Sequence, residues 1–274
     1  MRTVLLMGAS QGIGRAVALR FAAHDCCILV GDRNAELAER LSDEVASVFG
    51  AGRAAWRLAD CTNSLSAANF ARAAIEEFGQ ADVLAHVAGI FIPPRPESAR
   101  SNSADTLRTL EVNVAGALTM AEAARDVIVS TSGKGCMVLI SSANAVVAKS
   151  GSIAYDTSKA AVSHLVRELA VSCAPHIRVN GVAPAGVVEG SGQFPRERLL
   201  SSLAKYAIPH HDSESTDKLA TKLGDFYAER TLLKRSVPPD AVAEAVVALC
   251  SDGFGWTTGH VVPVDAGLPD AFLR

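Results

Sequence analysis

Short apolar runs alternate along the chain with longer stretches that are apolar on one face only. The short runs are Thr3–Met7, Cys26–Gly31, Ala54–Leu58, Asp82–Val87, Gly135–Ile140, Arg178–Val182 and His260–Val264. Their near-continuous Val, Ile, Leu and Ala suit strands covered on both faces, as in a parallel sheet. Between them, Gly12–Ala23, Ala35–Phe49, Ser64–Phe78, a run from about Ala104 to Val129, Ile153–Cys173 and Pro239–Ser251 carry helical spacing. Leu37, Leu41, Val45 and Val48 mark the second of these. Such alternation predicts βαβ units, and hence an α/β fold with a doubly wound parallel sheet flanked by helices.

The rhythm breaks twice. Ile92-Pro93-Pro94-Arg95-Pro96 and Ser98–Ser103 read as a loop. From about Pro184 to Ser236 the chain is polar and interrupted by Pro195, Pro209 and His210-His211-Asp212. In a compact fold, one long irregular excursion is expected to be a lid or binding loop; a surface insertion is the alternative. At about 150 residues per domain, 274 residues would allow two domains. The predicted sheet runs from Thr3 to Val264, however, and no cut leaves two complete cores. A single domain over 1–274 is expected, with 184–236 as its substrate loop.

Charge and composition narrow the function. Lys and Arg number 26 against 29 Asp and Glu, a net −3. That balance argues against a nucleic-acid binder that works by neutralising phosphates. A 49% hydrophobic content excludes a disordered chain. No stretch approaches the ~20 apolar residues of a membrane helix, and the N-terminal apolar run is too brief for an export signal. A cytoplasmic protein with no membrane partner is expected. Cysteines 26, 27, 61, 136, 173 and 250 have no metal-ligand spacing and read as buried free thiols, so no metal is expected.

The first predicted strand runs into Gly8-Ala9-Ser10-Gln11-Gly12-Ile13-Gly14, and a helix begins inside that turn. Strand, glycine turn and helix in this order are what a dinucleotide site demands. Gly8 suits the tight turn, Gly12 the approach to a pyrophosphate, and Gly14 the close packing of helix on sheet. The phosphates would meet N–H groups at the helix N-terminus, with Ser10, Gln11 and Ile13 beside them. Asp32 lies 18 residues beyond Gly14, where an acid holds the adenosine ribose hydroxyls. A carboxylate there repels a 2′-phosphate and favours NAD over NADP. Gln11 leaves the turn without a basic side chain, whereas Arg33 argues the other way. Asp60, followed by Cys61, either caps an adenine pocket or begins a helix.

Tyr155 and Lys159 stand four apart at the start of an apolar-periodic helix, which puts them on one face. Ser142 lies 13 residues before Tyr155, and Asn113 falls in the long helix before the preceding strand. Moving a hydride to or from a nicotinamide needs a partner that moves the alcohol proton. A free tyrosine has a pKa near ~10. The Lys159 ammonium, with a positive nicotinamide, is expected to favour the phenolate. Ser142 is placed to hold the substrate oxygen, and Asn113 to hold a water that relays protons.

Together these motifs resemble the classical short-chain dehydrogenase/reductase family over nearly the whole chain. The match adds Ala88-Gly89, Ile140-Ser141-Ser142, Tyr155-Asp156-Thr157-Ser158-Lys159, and Val179-Asn180 followed by Pro184. The resemblance implies a Rossmann sheet of seven parallel strands and the roles given above. It also implies cofactor contacts from Ala88, Gly89, Pro184, Gly186 and Val187, and a homotetramer or homodimer built on the helices around Asn113 and Tyr155. Two positions depart from the family. His86-Val87 replaces the usual asparagine pair, and Ala185 separates Pro184 from Gly186, with no Thr or Ser in Val187-Val188-Glu189.

The last third is similar to the dehydrogenase module of rhamnulose-phosphate aldolase/dehydrogenase proteins. Pro184-Ala185-Gly186-Val187, Gly190-Ser191-Gly192, Tyr227-Ala228-Glu229-Arg230-Thr231-Leu232-Leu233-Lys234 and Ala271-Phe272-Leu273-Arg274 carry that likeness, and the insertion resembles sorbitol-phosphate dehydrogenases. A small polyol, sugar-derived alcohol or hydroxyaldehyde substrate is implied. Reduction of a ketone or 3-oxoacyl substrate, and NAD sensing without turnover, stay open. Arg196, Arg198 and Lys205 offer charge to a substrate phosphate, but scattered basic loop residues usually meet only water. His210, His211 and Asp212 are expected to be solvated loop.

Overall fold

Every side chain of β1 (Thr3–Met7) is buried. Val4 and Leu6 enter one core and Leu5 and Met7 the other, so the strand is covered on both faces as its unbroken apolar run requires. The protein is described by a computed structural model over residues 1–9, 11–93 and 102–272. The further strands are β2 (Cys27–Asp32), β3 (Ala54–Leu58), β4 (Val83–His86), β5 (Gly135–Ile140), β6 (Ile177–Pro184) and β7 (Val261–Val264). All are parallel, in the order β3-β2-β1-β4-β5-β6-β7. The expected strands are all there, with ends moved by one or two residues. Met7 pairs with Gly31 on one side and His86 on the other. The order reverses between β1 and β4, and the crevice beyond that switch point is where open α/β sheets bind ligands.

Helices α1 (Gly12–Ala23), α2 (Ala35–Phe49) and α3 (Ser64–Phe78) follow the first three strands. Then come α4 (Ser103–Leu110), α5 (Gly116–Thr131), α6 (Ile153–Cys173), α7 (Arg196–Lys205), α8 (Thr216–Glu229) and α9 (Pro239–Cys250). Buried residues of α1, α2 and α9 share one core, and those of α3, α5 and α6 share the other. Between α4 and α5, residues Glu111–Ala115 form a π turn. The expected single helix around Asn113 is therefore continuous but widened at Asn113, and π turns frequently mark functional positions.

The stretch after Pro184 corrects the expectation of an irregular excursion. It contains α7 and α8, and Val188, Leu199, Leu203, Leu219 and Leu223 bury one another in a third small core. Leu199/Leu203 and Leu219/Leu223 are helical i,i+4 pairs. Pro195 stands just ahead of α7, where its missing N–H is harmless. Ser215 caps α8 by accepting from Lys218 N at 3.3 Å. The prolines thus punctuate two helices and do not prevent them. Among the described residues, no helix is long and apolar enough to cross a membrane, and all six cysteines are free and buried.

Candidate active site

A cleft of about 1050 Å³ lies at the carboxyl ends of the strands. Gly8, Gly12, Asp32 and Asp60 line one end, Ser142, Tyr155 and Lys159 its middle, and Arg198, Lys205 and Tyr227 the other end.

At the first end the three glycine positions leave no room for a side chain. Gly8 has φ +83, and a Cβ there would fall 2.4 Å from the backbone N and Cα of Ala88. Gly12 has φ +51, and its Cβ would meet the Gly190 carbonyl at 3.2 Å. A Cβ on Gly14 would lie 2.4 Å from the Gly8 carbonyl, so α1 packs directly on the turn. Gln11 precedes α1 without a side-chain cap, and no acid stands in the first turn. An uncapped helix start behind a glycine cradle suits an anionic pyrophosphate. Gln11 and Ile13 also line this end. Ser10, expected beside them, lies outside the described residues.

Asp32 ends β2 and accepts from Asn34 N at 3.0 Å. Arg33 is more than half exposed, with Nε 3.9 Å from Asp60 Oδ2. Asp60 Oδ1 accepts from Thr62 N at 2.9 Å and Thr62 Oγ1 at 2.7 Å. Burial raises the Asp60 carboxyl, but the Thr62 bonds outweigh it and hold the group below its ordinary value. Asp60 does not begin α3, whose cap is Asn63, accepting from Ser66 N at 2.9 Å. Cys61 is buried, and burial pushes its thiol up to about 11. It stays protonated and packs where a Cβ on Gly116 would sit 2.7 Å from its sulfur.

In the middle of the cleft, Lys159 is 3% exposed and its Nζ donates to the Ile140 carbonyl at 2.8 Å. Burial pulls its ammonium down to about 8. Nζ stands 5.6 Å from the Tyr155 ring centre, one helical turn away. The Tyr155 phenol is held above its ordinary value. Burial raises that phenol, and the groups that pull it down are the Ser142 hydroxyl, by a hydrogen bond, and then the Arg198 charge. The bond to Ile140 uses one of the three Lys159 donors and leaves two. Ser142 itself is buried, and its Oγ accepts from Asn144 N at 3.2 Å.

Asn113 is buried within the π turn. Its Nδ2 donates to Ile90 O at 3.0 Å and Ser158 Oγ at 2.9 Å, and its Oδ1 accepts from Ile90 N at 2.7 Å. With both donors used, the side chain clamps the Gly89–Phe91 segment to α6. The clamp sets Phe91 edge-on against Tyr155, ring centres 5.4 Å apart. His86, at the position of the family's asparagine, is buried, and neither ring nitrogen has a partner among the described residues. Burial, then the Lys159 charge, pushes it down to about 3, so it is neutral at neutral pH.

Pro184 ends β6 and Val187 is buried. A Cβ on Gly186 would strike the Tyr227 ring at 2.8 Å, so that glycine admits α8 against the cleft. Arg198 also departs from expectation. Its guanidinium carbon lies 3.9 Å from the Phe91 ring centre and 4.4 Å from that of Phe194. Sequence reading ranked it with solvated loop residues because α7 was not recognised. Phe91 and Lys149 stand in no local motif that marks them, and Tyr227 stands in a run that shows its family likeness but not its place in the cleft. His210 Nδ1 contacts the Ile208 carbonyl at 2.8 Å, and Arg196 donates to the Asp212 carbonyl. Among the described residues, no group of three or more His, Cys, Asp or Glu is placed to hold a metal ion.

Comparison with known proteins extends this picture. The family model described as short chain dehydrogenase matches residues 2–194, and one described as Enoyl-(Acyl carrier protein) reductase matches residues 208–269. The chain is 31% identical over 279 residues to the uncharacterized oxidoreductase YuxG of Bacillus subtilis; the match covers the whole chain but only 38% of that relative. It is 33% identical over 269 residues to cis-4-hydroxycyclohexanecarboxylate dehydrogenase of Sinomonas cyclohexanicum, covering 97% of this chain and 96% of the relative. The solved structure of 7 alpha-hydroxysteroid dehydrogenase complexed with NADH and 7-oxo glycochenodeoxycholic acid superposes with a TM-score of 0.78. It is 26% identical and covers 97% of this chain and 93% of that one. The chain is an oxidoreductase that belongs to the short-chain dehydrogenase family.

Proposed function

We propose that the protein is an NAD-dependent dehydrogenase that interconverts a secondary alcohol and its ketone, with Tyr155 as general acid/base. The observation that carries this reading is convergence. Ser142, Tyr155 and Lys159 line one cleft with the tight glycine turn at its end. A bound nicotinamide would supply the hydride acceptor or donor. Tyr155 Oη takes the alcohol proton in oxidation and returns it in reduction. Ser142 holds the substrate oxygen and stabilises the phenolate. Lys159 supplies a buried cation and a donor for the cofactor ribose, and Asn113 fixes the segment that orients Tyr155. Gly8, Gln11, Gly12, Ile13 and Gly14 cradle the pyrophosphate, and Asp32 takes the ribose hydroxyls and favours NAD. Arg33, whose Nε stands 3.9 Å from Asp60 Oδ2, is the residue that speaks for a 2′-phosphate.

The relatives' names speak for hydroxy compounds as substrates, among them a hydroxycyclohexanecarboxylate and a hydroxysteroid. L-rhamnose 1-dehydrogenase is another relative, 30% identical over 275 residues. A polyol or sugar-derived alcohol fits the same class; the finer likeness to rhamnulose-phosphate proteins rests on sequence motifs alone. Residues 184–236 act as the lid that selects the substrate, supported by Gly190 against Gly12 and Tyr227 against Gly186. The intact Ser142, Tyr155 and Lys159 speak against a silent NAD sensor. The test is NADH formation at 340 nm over a panel of hydroxy compounds with NAD and NADP, and the same panel of ketones and acyl substrates in reverse. NAD-linked turnover of hydroxy compounds is expected. NAD binding without turnover of anything would favour the sensor, and a marked preference for NADP would overturn the role given to Asp32.

A further inference from the structure

The end of the cleft beyond Tyr155 is built for charge, although the chain as a whole is net negative. Three cations sit there on aromatic faces. Arg198 lies between Phe91 and Phe194, Lys149 Nζ is 5.7 Å from the Tyr227 ring centre, and Lys205 Nζ is 5.7 Å from that of Tyr206. None of the three makes a salt bridge to an acid among the described residues. Of the two nearby carboxylates, Asp156 partly offsets the Lys149 charge and Glu197 lines the cleft, and neither makes a salt bridge to the three among the described residues. Asp156 is taken up by Asn144 Nδ2 at 2.6 Å, Lys149 N at 3.0 Å and Ser152 Oγ at 2.8 Å. Glu197, next to Arg198 on α7, is exposed.

Arg198 is the best placed. One ring, that of Phe91, separates it from Tyr155. It is partly buried, and the one hydrogen bond shown for it runs from Nη1 to the Gln193 carbonyl at 2.5 Å. A guanidinium has five donors in a planar fork that matches two oxygens of a carboxylate or phosphate. The Phe91 and Phe194 rings hold its guanidinium, and the one hydrogen bond to Gln193 leaves further donors for recognition. Burial, first among the causes, holds both Arg198 and Lys149 below their ordinary values, as for cations taken from water.

We infer that this end of the cleft binds an oxyanion, carboxylate or phosphate, carried by the alcohol substrate, with Arg198 as its principal anchor and Lys149 and Lys205 adding charge. The inference rests on the dehydrogenase reading above and adds the substrate's charge to it. The reacting hydroxyl sits at Tyr155 and the oxyanion one ring's breadth away, so binding orients the carbinol carbon. Neutral alcohols of the same skeleton lack that hold.

Two matched pairs test this with NAD present: a hydroxycyclohexanecarboxylate against its amide, and a hexitol phosphate against the free hexitol. The wild type should prefer the anionic member of at least one pair by roughly tenfold or more in kcat/KM, and which pair responds tells carboxylate from phosphate. In Arg198→Met, which keeps an apolar stem between the two rings, that ratio should collapse; Arg198→Lys should keep part of it. The ratio is the readout because a general loss of catalysis or folding leaves it standing. Equal turnover within both pairs, or a ratio unchanged in Arg198→Met, overturns the inference and leaves the dehydrogenase reading in place. Should no hydroxy compound react, the dehydrogenase reading fails by itself. Calorimetry then decides the anchor, titrating NAD-saturated protein with cyclohexanecarboxylate and, separately, inorganic phosphate. Binding of one of them, weakened roughly tenfold or more in Arg198→Met, supports the anchor. No binding of either, or binding equal in the variant, overturns it.

Discussion

Ser142 carries more of the chemistry than its small size suggests. Its hydroxyl is the main group that offsets the effect of burial on the Tyr155 phenol. In Ser142→Ala the phenol should therefore rise. Alcohol oxidation uses the phenolate, so the ascending limb of the pH–rate profile should move to higher pH, beyond the loss in rate. An unmoved limb would remove Ser142 from the control of Tyr155. His86 shows the reverse case, a titratable group held neutral. The native ring protonates only near 3, whereas the unfolded chain takes up that proton near ~6.5. Stability linked to His86 is thus whole above ~6.5 and is lost as pH falls towards 3, at about 1.4 kcal/mol per pH unit. Urea unfolding at pH 7 and 5.5 should show a loss about 1 kcal/mol smaller in His86→Leu than in the wild type. Parallel losses would show that the ring is already solvated. The glycine turn, Ser142, Tyr155 and Lys159 were legible in the sequence because their spacing along the chain is what brings them together. Arg198 was not. It meets Tyr155 only through Phe91, more than a hundred residues back along the chain, and no local spacing encodes that contact.

Among elements, the strands were the most readable, because strands buried on both faces are apolar without interruption. The lid helices were hidden. Each buries one narrow stripe, Leu199 with Leu203 and Leu219 with Leu223, and the surrounding Arg, Lys, Glu and Pro mask the period. That third core is small and separate from the sheet cores, so one truncation should loosen it alone. Leu203 is fully buried within it. Leu203→Ala should cost about 2–5 kcal/mol locally. Hydrogen exchange should accelerate across α7 and α8 while β1, β4 and β5 keep their protection. Uniform acceleration through the sheet would mean that lid and sheet unfold as one unit. The π turn at Glu111–Ala115 belongs to this scale too, since it carries Asn113, whose amide locks Ile90 and Ser158 in place.

At the scale of the whole molecule, one sheet carries the glycine turn, then Ser142, Tyr155 and Lys159, then the helices of the third core, in chain order. The outer faces of α5 and α6 expose Leu118, Ile153 and Val171. Apolar side chains there fit an assembly through these helices, and light scattering should give the mass of a dimer or tetramer. A monomer at micromolar concentration would contradict that expectation. The central claim is that Tyr155 moves the proton in a site that holds NAD independently of it. It is tested most directly by comparing Tyr155→Phe with the wild type for NADH formation and for NAD binding by calorimetry. The account predicts turnover lower by roughly 10²–10⁴-fold with NAD affinity nearly unchanged. Equal turnover in the variant would contradict it.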